Sequence, residues 1–192
     1  ILGKRSKNDS HTVLAAGGIN AAFGNVDAED CWQQHFIDTY LEGYELADPN
    51  QIEIMAKESP FYVEEIDKWG ADFKKLKNNK LDQRYFGAHK YRRTCYSGDY
   101  TGQSILNALL KKANELKIPI YDNQYVFDLL VEENICFGAM SFNTVTGERT
   151  ANLADAVVLC TGGHTRIWKN SSSRKDENTG DGLYLGLKAG CE

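Results

Sequence analysis

The stretch DAVVLCTGG, Asp155–Gly163, sets a short continuous apolar run against a double-glycine exit. A strand with one wet face alternates apolar and polar residues. One without alternation reads as buried on both faces, as in a parallel sheet covered by helices. Gly162 and Gly163 then fall at the carboxyl end of that strand, where open α/β sheets place a ligand crevice. The run therefore predicts an α/β fold with a parallel sheet, and a site beside Thr161, Gly162 and Gly163.

Working outward, the three runs before it (IPIYDNQYVFDLLVEE, ICFGAMSFNT and ERTANL) predict successive strands of a β-meander. Turns are expected at Glu133-Asn134 and Thr146-Gly147. Upstream, DYTGQSILNALLKKANELK predicts a helix capped by Thr101, with Ile105, Leu106, Leu109, Leu110, Ala113 and Leu116 on one stripe. Ala28 to Leu46 carries Trp32, His35, Phe36, Thr39 and Tyr40 at helical spacing. Asp48-Pro49 starts a short further helix, and Pro60 is expected to open another that stops at Gly70. Lys74 to Lys80 reads as a charged loop. At the ends, ILGK reads as the close of a buried strand, and GDGLYLGLKAGCE as a helix reaching Gly190. Both ends predict a piece of a longer protein.

The net charge of −5 over 192 residues argues against nucleic-acid binding, which needs a basic surface. The short basic cluster Lys90–Arg93 is too small to change that, and Arg92 and Arg93 are expected on a solvated face. No apolar run approaches the ~20 residues of a membrane-spanning helix. Five scattered cysteines match neither a disulfide framework nor a metal-binding spacing, which favours a reducing cytosol. His35 is expected to be a hydrogen-bonded packing residue, and His89 and His164 to lie in loops. Cys95 has no base at readable spacing, so no residue is assigned a catalytic role.

SHTVLAAGGINAAFGN, Ser10–Asn25, puts an imidazole directly before Gly17, Gly18 and Gly24. Without a Cβ the backbone can approach a phosphate or a ring system. An ordinary glycine-containing turn gives the same pattern. NTGDGLYLGLKAG places Asp181 at a helix start, where simple capping is the plain alternative.

In order and at their spacing, SHTVLAAGGINAAFGN, DYTGQSILNALL, YVFDLLVEE, VVLCTGG and NTGDGLYLGLKAG resemble the flavoprotein subunit of the succinate dehydrogenase and fumarate reductase family. The similarity covers nearly the whole chain. It implies a partial FAD-binding domain of Rossmann-like, two-dinucleotide-binding type, spanning residues 1–192. The first βα phosphate-loop unit and the downstream capping and catalytic domain would lie outside it. The resemblance implies that His11 is joined to the 8α-methyl of FAD, with Ser10, Thr12, Gly17 and Gly18 lining the isoalloxazine and pyrophosphate. It places Gly3 and Lys4 near the adenosine ribose and Val126 at the adenine. Thr161, Gly162, Gly163 and Asp181 would also contact the cofactor, and Phe86 and Gly87 would face the dicarboxylate. The implied partners are membrane anchor subunits together with an iron–sulfur subunit, and the implied substrate is succinate or fumarate. The protein would then be peripheral on the inner, cytoplasmic face of the membrane.

Three positions depart from the family pattern. Asp9 stands where arginine is usual, Ala16 replaces Gln or Glu, and Ala88 replaces glycine. Other members of the superfamily, such as L-aspartate oxidase or a soluble fumarate reductase, remain alternatives, as does a non-catalytic relic of the fold.

Overall fold

The computed structural model describes residues 1–191. The chain divides into two compact units, Thr12–Lys117 and a second made of Ile1–His11 with Ile118–Glu192.

In the first unit, β1 (Ile19–Asn20) pairs antiparallel with β2 (Thr94–Cys95), joining segments far apart in sequence. Helices α1 (Trp32–Glu42) and α2 (Pro49–Lys68) form a hairpin, and α3 (Thr101–Glu115) follows β2. Asp48 caps α2 as its sequence requires: the Asn50 amide donates to Oδ1 at 2.9 Å, and Pro49 takes the first helical position. Ala21, Val63, Ala71, Phe73, Leu81, Cys95 and Ala108 make the core, with Phe23, Ile66, Trp69 and Ile105 packed around it. Burying side chains such as Val63 and Phe73 stabilises by about 1.5–3 kcal/mol each.

Two local expectations are corrected here. Pro60 does not open a new helix; it lies inside a continuous α2. Proline cannot donate to the carbonyl four residues back. That carbonyl belongs to Ala56, and the Ser59 hydroxyl donates to it instead, at 3.3 Å. Ile52, Ala56 and Val63, buried on either side of the proline, hold the two halves on one core face. Thr101 likewise does not cap α3. Tyr100 occupies the cap, and Thr101 is the first helical residue, its hydroxyl accepting from the Ser97 amide at 3.0 Å. The buried face of α3 is Thr101, Gly102 and Ala108, while Leu109 and Leu116 are exposed. Gly102 decides this rotation. Its amide donates to Ala15 O at 2.8 Å, and a Cβ there would lie 1.8 Å from Thr12 O, so backbone meets backbone.

In the second unit, β3 (Gln124–Glu132), β4 (Ile135–Asn143) and β5 (Arg149–Leu153) form the expected antiparallel meander. Glu133 and Asn134 both have positive φ (48° and 63°), as a two-residue hairpin turn of the favoured twist requires. Helix α4 (Asp181–Lys188) packs on β3 and ends before Gly190, whose φ is 89°.

The expected parallel sheet is not formed among the described residues. Asp155–Gly163 is in no strand, and Val158 is 81% exposed. A strand buried on both faces needs neighbours to take its backbone N–H and C=O groups. No described strand runs beside this segment. The one parallel pairing described is the bridge between Leu2 and Tyr121, so ILGK contributes a single bridge and not a strand end.

Candidate functional site

In the second unit, one segment reaches most of the residues singled out there: SRKDENTGDG, Ser173–Gly182. Its last positions meet Lys4, whose Nζ lies 3.1 Å from Asp181 Oδ2 and 3.5 Å from Thr179 Oγ1. The same ammonium sits 5.3 Å from the Tyr125 ring centroid, next to Val126 in β3. Burial disfavours the charged Asp181, but hydrogen bonds from Thr179, Lys4 and Tyr125 outweigh it and hold its pKa below the ordinary value. Gly3 anchors this corner through its amide to Tyr121 O (2.9 Å) and its carbonyl from the Gln124 amide (2.8 Å). A cleft of about 680 Å³ opens here, lined by Lys4, Arg5, Asp9, Tyr125, Thr179 and Asp181 among others.

The double-glycine exit meets the same segment. The Gly163 amide donates to Asn178 Oδ1 at 3.0 Å. Gly162 has a φ of 75°, which a side chain would strain. The Thr161 side chain is turned to α4: a Cβ on Gly182 would fall 1.7 Å from its hydroxyl. Thr161 thus borders α4 at Gly182 while remaining exposed.

His11 faces Glu177, with Nδ1 3.1 Å from Oε2. Arg174 Nε donates to that same oxygen at 2.6 Å, and its Nη1 donates to Asp9 at 2.6 Å. Arg5 takes the other Asp9 oxygen at 2.5 Å. Hydrogen bonds from Arg5 and then Arg174 hold the Asp9 carboxyl below its usual range. The aspartate that departs from the family pattern is thus matched by two guanidiniums. Ser10 Oγ is buried and has no hydrogen-bond partner among the described residues. Arg174 and Glu177 escaped sequence reasoning because a charged run before NTGDG looks like a solvated loop; Asn178 and Thr179 stand inside that motif but carry no signal that sets them apart from ordinary loop residues.

In the first unit, Gly17 and Gly18 are small for reasons internal to the protein. A Cβ on Gly17 would meet the Phe86 ring at 2.4 Å; one on Gly18 (φ 130°) would meet Thr94 Cγ2 at 2.4 Å and Cys95 O at 2.5 Å. Arg84 donates to the Ala16 and Gly17 carbonyls at 2.9 and 2.8 Å. Phe86 is exposed beyond this contact, and Gly87 (φ 85°) turns the chain after it. The Thr12 carbonyl accepts from Ala15 and abuts Gly102. Cys95 is fully buried and its thiol is pushed up to about 12, chiefly by burial, which makes it inert.

The basic pair corrects another expectation. Arg92 is partly exposed and pairs with Asp27, but Arg93 is fully buried, bonded to Asp30 Oδ1 and Asp38 Oδ2 at 2.8 Å each. His35, also buried, lies in this charged setting with Nδ1 unpartnered among the described residues, so it is a packing residue without the expected side-chain bond. His89 is half-buried and takes a 3.0 Å contact from Asn20 Nδ2. Burial, then the Arg93 charge, pushes His35 down to about 4 from 6.5. Between those values the unfolded chain binds the extra proton, so stability is full above 6.5 and falls as pH drops toward 4. The loss is about 3 kcal/mol. Asp30, raised by burial, opposes it in acid. Urea unfolding of wild type and His35→Gln across this range isolates the effect. The variant is expected to gain about 3 kcal/mol on wild type; a constant difference would refute the assignment.

A family model described as "FAD binding domain" matches residues 1–192. Among curated proteins, the chain is 36% identical over 181 residues to one of the subunits of the "Fumarate reductase (CoM/CoB)" of Methanothermobacter marburgensis, covering 94% of this chain and 33% of that protein. It is 35% identical over 189 residues to the succinate dehydrogenase flavoprotein subunit of Rickettsia bellii, with 94% and 31% covered. Among solved structures, Mycobacterium smegmatis Sdh1 in complex with UQ1 superposes with a TM-score of 0.90 at 35% identity, covering 98% of this chain and 33% of that one. The chain thus spans about a third of the length of these relatives.

Proposed function

The chain belongs to the FAD-binding domain family, and from that premise we propose that it is the FAD-binding segment of a flavoprotein that interconverts succinate and fumarate. The observation that carries this is the way Ser173–Gly182 gathers Lys4, His11, Gly163 and Asp181 within one unit. The residues fit the cofactor. Ser10 Oγ is a buried hydroxyl lacking a partner among the described residues, and Lys4 offers an ammonium in an open polar cleft. His11 Nε2 carries no hydrogen bond among the described residues, and the side chain is 40% exposed.

In this reading Gly3, Lys4, Val126 and Asp181 hold the adenosine end. Ser10, His11 and Thr12 serve the flavin end with Gly17 and Gly18, and His11 is its 8α-attachment point. Thr161, Gly162 and Gly163 border the cofactor. Phe86 and Gly87 serve the dicarboxylate. When bound, FAD supplies the two-electron chemistry; these residues bind, orient and shield it.

The relatives' names give both directions of the reaction, fumarate reductase and succinate dehydrogenase, which supports the dicarboxylate pair. The parent protein would supply the first βα unit, the strands that complete a parallel sheet beside 155–163, and a capping domain. Its partners would be membrane anchors together with an iron–sulfur subunit. No helix of the described residues is long and apolar enough to cross a membrane. Attachment would be peripheral, at the cytoplasmic face, through those partners.

The test is the visible spectrum of the full-length gene product. Flavin absorbance that bleaches with succinate, or returns with fumarate after reduction, is expected. A colourless protein, or a flavin indifferent to both dicarboxylates, would contradict the reading.

A further inference from the structure

We infer that Glu177 is the positioning residue of His11, fixing its imidazole as the Nδ1–H tautomer and leaving Nε2 as the free ring nitrogen. This rests on the reading of His11 as the flavin attachment point. Glu177 Oε2 accepts from Arg174 Nε at 2.6 Å, and Oε1 lies 3.7 Å from Arg5 Nε. A carboxylate paired with two guanidiniums offers only lone pairs, so the imidazole nitrogen 3.1 Å away must be the donor. In a neutral ring the other nitrogen then bears the lone pair. It has no partner among the described residues and lies on an accessible ring, whereas the Glu177 side chain is only 11% exposed.

The same clamp fixes the backbone. Arg5 Nε and Arg174 Nη2 both donate to the Asp9 carbonyl, at 3.2 and 3.3 Å, two residues before His11. Arg174 therefore ties the main chain and the ring's carboxylate partner into one rigid piece. Ring position and tautomer are set together. Asp9 is the anionic half of this clamp, which gives a purpose to its departure from the family's arginine.

Nitrogen-15 NMR of the full chain with labelled histidine tests this, with His11→Gln assigning the signal. His11 of the wild type is expected to show the Nδ1–H tautomer. Glu177→Gln keeps it, because the amide oxygen can still accept, and Glu177→Leu releases it to a mixture. An unchanged His164 signal in the same spectrum reports that the unit holding Glu177 is folded in the variants. If Glu177→Leu does not fold, the wild-type and Glu177→Gln spectra decide. A wild-type Nε2–H tautomer, or a His11 signal indifferent to Glu177→Leu, would overturn the assignment. In full-length protein, Glu177→Leu is expected to slow covalent flavin attachment by roughly tenfold or more, and an unchanged rate would count against the inference. A wild type with the Nδ1–H tautomer that never retains flavin would defeat the covalent reading and leave the Glu177 assignment standing.

Discussion

Replacing Arg93 with methionine is expected to lower the unfolding free energy by about 3–5 kcal/mol. The guanidinium is fully buried and its two partners are Asp30, just before α1 and also fully buried, and Asp38, within α1 and nearly so. Removing the cation strands Asp30 without compensation in a low-dielectric setting. Burial already pushes the Asp30 carboxyl up, with the Arg93 charge and hydrogen bond opposing that rise. Methionine keeps much of the side-chain volume, so the loss reports charge and hydrogen bonding more than a cavity. Asp30→Asn in the same background should recover part of it, since the amide needs no counter-charge. Equilibrium urea unfolding checks both. A loss below about 1 kcal/mol, the range of an exposed ion pair, would show that the cluster is solvated and that the first unit is not organised around it.

That cluster also marks a limit of sequence reading. Arg92 and Arg93 look alike in sequence, yet their side chains go to different places. Arg92 meets Asp27 and stays at the surface, while Arg93 turns inward to Asp30 and Asp38. Those partners lie far earlier in the chain, and no local periodicity joins them. The meander, by contrast, was legible because its strand-forming runs and its Glu133-Asn134 turn are local facts. α2 was half legible: its cap needs only Asp48 and Pro49, but the passage through Pro60 depends on Ser59 and on burial across the hairpin.

The run 155–163 misled for a related reason. Its apolar content is a property of the segment, whereas strand formation is a property of its neighbours, and none of the described strands supplies an edge. In the candidate site, the glycines and His11 stood out by residue type. Their contacts did not. Gly17, Gly18 and Thr161 owe their close neighbours to Phe86, β2 and Gly182, and Glu177, which meets His11, sits in a charged stretch with no apolar pattern.

The second large effect concerns His11. If it anchors the flavin through carbon–nitrogen attachment, no denaturant can remove the cofactor from the wild-type protein, and replacing the imidazole removes the anchor altogether. His11→Ser is expected to leave Glu177 to Arg174 and Arg5, so the clamp around Asp9 persists and loss of flavin would not reflect collapse of the second unit. The decisive measurement is the flavin content of acid-precipitated, washed full-length protein, wild type beside His11→Ser. The account predicts flavin in the wild-type pellet and all of the variant's flavin in the supernatant. Equal retention by both, or a wild-type pellet without flavin, would contradict the placement of the cofactor at His11.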